Sequence, residues 1–144
     1  MRHACVIVLA CAGWSATAGA QPSEGATTRF DGAWTVAMSC PTNTEKSAAR
    51  GYKREFPAQV KDGQLSGEIG AAEAPGWLRI EGRIGADGAA RLDARGRTGD
   101  PDYAVNQPPP SSPYSFHIEA RFEGARGSGR RLEQRACDFA FTRR

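Results

Sequence analysis

This chain of 144 residues carries 19 Lys+Arg against 16 Asp+Glu, a formal net charge of +3. The length allows one domain with one modest core. So small a net charge argues against a nucleic-acid partner, and no apolar run after the first twenty residues is long enough to span a bilayer.

Residues 1–20 have the three parts of a secretory signal. Arg2 and His3 begin it, Cys5 to Ala12 form an apolar core too short for a membrane helix, and Ala18-Gly19-Ala20 is an A-x-A cleavage site. A lipoprotein reading places Val8-Leu9-Ala10 before a lipidated Cys11. Its apolar core would be only about six residues long against the usual ~7–15. Cleavage after Ala20 is therefore expected, with the product periplasmic or secreted. Processing removes Cys5 and Cys11 and leaves Cys40 and Cys137 in an oxidising compartment, where a disulfide is the default. No Cys-x-x-Cys is present. A bond closing so long a loop is worth about 4–5 kcal/mol in the chain-entropy account. Residues 21–29 are polar and are expected to be an unstructured lead-in to a single domain over 30–144.

From Phe30 onward, alternation of apolar and polar residues predicts strands. Trp34, Val36, Met38 and Cys40 share one face of the first. Thr42 to Glu45 fits a capping box and Gly51 a helix end, which predicts one short helix near 43–49. Phe56, Ala58 and Val60 share a face of the next strand, where Pro57 marks an edge or bulge. Leu65 and Ile69 follow, then Leu78, Ile80 and Ile84 opposite Arg79, Glu81 and Arg83. Ala90, Leu92 and Ala94 oppose Arg91, Asp93 and Arg95. Residues 99–113 carry Pro101, Pro108, Pro109, Pro110 and Pro113 and cannot be a central strand. A loop of that length is usually functional or flexible. Tyr114, Phe116, Ile118, Ala120 and Phe122 then oppose His117, Glu119, Arg121 and Glu123, and Cys137, Phe139 and Phe141 share the last strand's apolar face. Leu132 is out of phase with Cys137, so a break is expected, with Arg130 to Glu133 a separate short strand. Asp62-Gly63 and Asp87-Gly88 are hairpin signals, and the glycine-rich GARGSG stretch reads as a third turn.

Seven or eight antiparallel strands with one polar face predict a small all-β up-and-down barrel, with a β-sandwich as the alternative. Both cysteines lie on the core parity of the first and last strands. That favours closure, because joining those strands removes both sheet edges. A monomer is expected.

No catalytic or metal motif is evident. His117 is the single histidine after residue 20 and sits on a charged face, where pairing with a carboxylate is its expected role. No nucleophile-elbow motif accompanies it, though a hydrolase using His117 is a rival reading. Carboxylates alternate with arginines, the pattern of cross-strand charge pairs rather than of a buried acid–base pair. One histidine and two disulfide-bound cysteines cannot build a zinc site. GARGSG lacks the Lys-Ser/Thr and helix of a phosphate loop. A basic cluster at Arg126, Arg130, Arg131 and Arg135 suits an anionic partner such as lipopolysaccharide, phospholipid or an acidic protein. The competing reading is a solvated face in a chain with 16 Arg against 3 Lys. Trp77, out of phase with Leu78 and next to Pro75-Gly76, is expected to be exposed. With Tyr103, Asn106 and Tyr114 it forms the expected contact site, at the end of the barrel carrying the long loop. Small inward residues either taper the packing or leave a pocket, and an eight-stranded barrel sits at that boundary.

Gly32-Ala33-Trp34 resembles the G-x-W that opens barrels of the lipocalin and avidin superfamily. The resemblance implies an arginine of the last strand packed over the tryptophan, a part open to Arg143 or Arg135. From Phe30 to Phe141 the chain is similar to small exported bacterial proteins with a pattern like FDGxW…CP…DGxLxGE…GxIxxDGxAxLxAxG…GxGxR…RxCxF, a family that brings no known activity. Barrel-shaped periplasmic protease inhibitors are a looser likeness. The expected function is a non-enzymatic exported binding domain without cofactor, its partner a periplasmic protein. The alternatives are a carrier of a small apolar ligand and an inhibitor of a protease or other hydrolase.

Overall fold

The computed structural model describes residues 27–44, 48–131 and 133–144. The expected signal over 1–20, residues 21–26 of the polar lead-in, and Leu132 lie outside them. Apolar alternation becomes eight strands: β1 (Gly32–Cys40), β2 (Tyr52–Lys61), β3 (Gln64–Ile69), β4 (Leu78–Arg83), β5 (Ala89–Arg97), β6 (Pro113–Glu123), β7 (Arg126–Arg131) and β8 (Cys137–Arg143). Each pairs antiparallel with the next, and β8 returns to β1 to close a barrel. The expected up-and-down barrel is thus the observed fold, and the sandwich is not. Among the described residues no helix is long and apolar enough to cross a membrane.

The inward parity is the one read from the alternation. Val36, Ile80, Leu92 and Ile118 are fully buried in one cluster with Phe56, Phe116, Phe139 and Phe141, so side chains fill the barrel's middle. Outward residues pair across strands. Arg91 lies opposite Glu119 at 3.4 Å, and Arg130 opposite Asp138 at 3.1 Å. Exposed pairs of this kind fix register more than they add stability.

The turn at Asp62-Gly63 is a two-residue loop between Lys61 and Gln64, with φ of 51° and 73° at its two residues, the signature of a type I′ hairpin. Asp87-Gly88 forms a longer loop in which Gly88, at φ 85°, donates to the Gly85 carbonyl. A Cβ at Gly88 would collide with the Phe122 carbonyl oxygen.

The structure corrects two expectations. Asn43 and Ala49 are partners in an antiparallel bridge, Asn43 N donating to Ala49 O at 2.9 Å, where the helix near 43–49 was expected. Thr42 Oγ1 accepts from Gly51 N rather than capping a helix, and 45–47 lie outside the described residues. The third turn is only Gly124-Ala125, while Gly127 and Gly129 belong to β7. They are glycines because large side chains cross them: a Cβ at Gly127 would sit 2.8 Å from the Phe122 ring, and one at Gly129 2.9 Å from Ile118. Thr28 to Asp31 form a turn, Asp31 N donating to Thr28 O at 3.0 Å. The Asp31 carboxylate accepts from Asp62 N and Gly63 N at 2.8 and 3.0 Å, tying this segment to the first hairpin.

The seam between β1 and β8 carries the disulfide. Cys40 and Cys137 are bonded with Cα atoms 4.3 Å apart, both on the core face. Replacing both by alanine is expected to lower the unfolding free energy by about 4–5 kcal/mol, read from urea midpoints. A loss below about 1 kcal/mol would mean that the β1–β8 ladder holds the seam unaided. Gly127→Val, which forces a side chain into Phe122, is expected to cost about 1–3 kcal/mol in the same assay.

Candidate functional site

The two ends of the barrel differ. At the end holding the chain's first described residues, Phe30, Trp34, Phe122 and Phe141 form a buried aromatic plug. The Trp34 ring meets Phe122 edge-on at 5.5 Å, and its indole N–H donates to Phe30 O at 2.9 Å. Arg143 lies over Trp34 with its guanidinium carbon 5.2 Å from the ring centroid, and its Nη2 donates to Arg29 O at 2.8 Å. Of the two arginines proposed for that position, Arg143 fills it.

At the opposite end the strands part. Only Ala58 to Lys61 of β2 pair with β3, so Tyr52 to Pro57 are laddered to β1 alone. Pro57 therefore sits on a local edge, where its missing N–H costs no ladder bond. On the other side β7 pairs with β6 only from Glu119 onward. The N–H of His117 is taken instead by the Glu133 carboxylate at 3.0 Å. Residues 98–112 cross above these gaps, with one turn of 3-10 helix at Pro101–Tyr103. The crossing is anchored by Arg50 to Asp102 (3.5 Å), by the edge-on ring pair Tyr52–Tyr103 (6.0 Å), and by Arg135 Nη1 donating to Tyr103 O (2.9 Å).

Between this covering loop and the barrel lies a cavity of about 480 Å³, within the roughly 300–1,000 Å³ of small-molecule sites. The last inward residues of the strands form its inner wall: Tyr52 and Arg54 of β2, Tyr114 of β6 and Arg131 of β7. Loop residues Tyr103, Val105, Asn106 and Pro108 form the outer wall. Thus three of the four expected contact residues, Tyr103, Asn106 and Tyr114, converge on one cavity. Trp77 does not. It is buried, and its indole N–H donates to Glu68 Oε1 at 2.6 Å. Alternation mispredicted it because Trp77 precedes β4, where the strand parity does not apply.

The expected basic patch is also split. Arg126 and Arg130 face out on β7, while Arg131 faces in. Arg131 is only 6% exposed, with its guanidinium carbon 4.0 Å above the Phe116 ring centroid. Its Nε donates to Glu133 O at 2.9 Å and its Nη2 to Gln134 Oε1 at 2.5 Å. Burial lowers its pKa, which Tyr52 and Tyr114 counteract. Arg135 is equally buried and donates to three main-chain carbonyls, those of Pro41, Arg50 and Tyr103. Arg54 Nη1 donates to Gly76 O at 2.8 Å. The inward arginine missed from sequence had one signal: Arg131 continues the parity of Gly127 and Gly129, which are inward positions without side chains.

His117 stands outside this cavity. Its Nδ1 lies 2.6 Å from Glu133 Oε1 and its Nε2 3.4 Å from Asp93 Oδ1. The hydrogen bond from His117 holds the Glu133 carboxyl below its ordinary range. Among the described residues, no group of three or more His, Cys, Asp or Glu side chains could hold a metal ion. Comparison with protein families, with characterised proteins and with solved structures finds no match for the chain.

Burial pushes the Tyr114 phenol up to about 12, Tyr52 adds to the rise, and Arg54 and Arg131 offset part of it. A phenol raised on folding stabilises the fold fully below pH 10, its unperturbed value, and progressively less as the pH climbs through 12. Spectrophotometric titration should therefore show a tyrosine ionisation near pH 12, and Tyr114→Phe should remove it.

Proposed function

We propose that this chain is an exported, non-enzymatic binding domain whose site is the covered mouth of the barrel. The observation that carries the reading is the asymmetry of the ends. One is plugged by Trp34, Phe30 and Phe122, and the other holds a ligand-sized cavity roofed by a loop. A rigid barrel beneath a variable loop is a common design for recognition, because the scaffold positions the loop without sharing its chemistry. The Cys40–Cys137 bond supports an oxidising compartment, and with the signal-like N-terminus it supports export. Both His117 ring nitrogens face carboxylates on the outer wall, away from the cavity. That arrangement keeps the imidazole out of the cavity, whose one carboxylate among the described residues, Asp100, accepts from Asp102 N, and it supports binding without turnover. The arginines of the inner wall favour a polar occupant over a purely apolar one.

Tyr103→Ala combined with Asn106→Ala should weaken retention of ligand or partner from a native periplasmic extract while the barrel still melts in one cooperative transition, its midpoint lowered by about a few degrees through loss of the Tyr52–Tyr103 ring pair. Native mass spectrometry of the retained material provides the readout. An identical capture profile for the variant and the parent chain would remove the mouth as the site.

A further inference from the structure

The strand arginines differ in what balances their charge. On the barrel's outside, Arg79, Arg91, Arg95 and Arg130 each reach a carboxylate within 3.4 Å, while Arg83, Arg121 and Arg126, with no ion pair among the described residues, stand in water. At the mouth, Arg54, Arg131 and Arg135 form no ion pair among the described residues and are held by carbonyl and amide oxygens instead. Neutral acceptors orient a guanidinium and satisfy its N–H groups, but they leave its charge in place. The imbalance is local. Lys53, Arg54, Arg97, Arg131 and Arg135 line the cavity against a single carboxylate, Asp100. Asp100 accepts from Asp102 N at 3.0 Å and keeps its charge, and Arg97 is paired with Glu73, which leaves Lys53, Arg54, Arg131 and Arg135 facing one carboxylate among the described residues. Arg135 Nε is buried without an acceptor. A buried guanidinium without a counter-ion is costly, and a bound anion would relieve that cost.

We propose that the mouth takes a small organic anion, its acid oxygens held by Arg54 and Arg131 and its apolar body lying against Tyr103, Val105 and Pro108. The proposal rests on the mouth being the binding site and assigns that site a ligand class. Tyr52 and Tyr114 place phenol groups in the same cavity, and Tyr114 remains protonated, hence able to donate, well past neutral pH. The headgroup is a carboxylate or a phosphate, since both offer oxygens to a planar guanidinium.

Calorimetric titration of the full chain with naphthoate, decanoate, phenyl phosphate, inorganic phosphate and the neutral naphthamide tests this. At least one organic acid should bind with a Kd below about 1 mM, and naphthoate should bind at least about tenfold tighter than naphthamide. Arg54→Gln and Arg131→Gln should each weaken the acid by about 10- to 100-fold, while Arg126→Gln on the outer wall should not. If Arg131→Gln fails to fold, Arg54→Gln decides. Carboxylate against phosphate tightness distinguishes the two headgroups. Equal binding of naphthoate and naphthamide overturns the anion and leaves the mouth reading standing. So does the failure of every acid to bind, because capture from extract judges the mouth separately. Inorganic phosphate binding as tightly as phenyl phosphate overturns the organic body. Acid binding that ignores both arginines overturns the site itself.

Discussion

Six residue pairs join β1 to β8, from Trp34 opposite Arg143 to Ser39 opposite Asp138. This seam turns a meander with two open edges into a barrel with none. Closure also sets the interior. Eight strands leave room for little more than their own inward side chains, so some large residues need a glycine beside them. Phe122 lies across Gly127, Ile118 across Gly129, and Ile80 beside Gly67, whose missing Cβ leaves room for Ala58 as well. Glycine inside a strand normally weakens it. Here the weakness is offset by packing that no larger residue permits.

The same closure makes the two ends different problems. A barrel's inward positions continue past the core, and whatever stands there must either meet another side chain or meet water. At one end the inward positions are aromatic, and Phe30 folds under to complete the plug. At the other they are Tyr52, Arg54, Tyr114 and Arg131, with polar atoms that cannot be abandoned in a dry core. The chain answers by parting its strands there and laying residues 98–112 across the gap. The long loop is thus the physical consequence of polar inward residues, and the cavity is what remains beneath it.

Most of the barrel was legible because it depends on local rules. Alternation located the strands and their inward faces, Asp62-Gly63 marked a type I′ turn, and the parity of Cys40 and Cys137 placed the disulfide on the core side of the closing strands. The proline-rich loop and its flank pointed to Tyr103, Asn106 and Tyr114, which line one cavity. What was missed depends on contacts between distant segments. The capping-box pattern at Thr42 was overridden by a bridge between Asn43 and Ala49 and by the bond that Gly51 gives Thr42. Gly127 and Gly129 looked like turn residues because the Phe122 ring and the Ile118 side chain that require them belong to another strand. Trp77 looked exposed because the Glu68 carboxylate that receives its N–H sits across a hairpin. Arg131 looked like part of a surface patch because arginine at an inward position breaks the alternation rule.

That last departure bears on stability. Arginine on the solvent side of a strand costs little to keep charged: Arg79, Arg91, Arg95 and Arg130 reach carboxylates there, and Arg83, Arg121 and Arg126 stay charged in water with no ion pair among the described residues. Arginine on the inward side is expensive, and a carboxylate beside it would reduce the expense. The carboxylate nearest in sequence is Glu133, whose main-chain oxygen accepts from Arg131 Nε while its side chain turns away to His117. There it takes the His117 N–H that β7 leaves unpaired. Glu133 therefore closes the β6–β7 gap with its carboxylate and orients Arg131 with its backbone, without neutralising it. Natural chains depart from local consistency mainly where function requires it. On the proposed reading of the mouth, a guanidinium aimed and solvated by dipoles, with its charge left available beneath a loop, is such a departure.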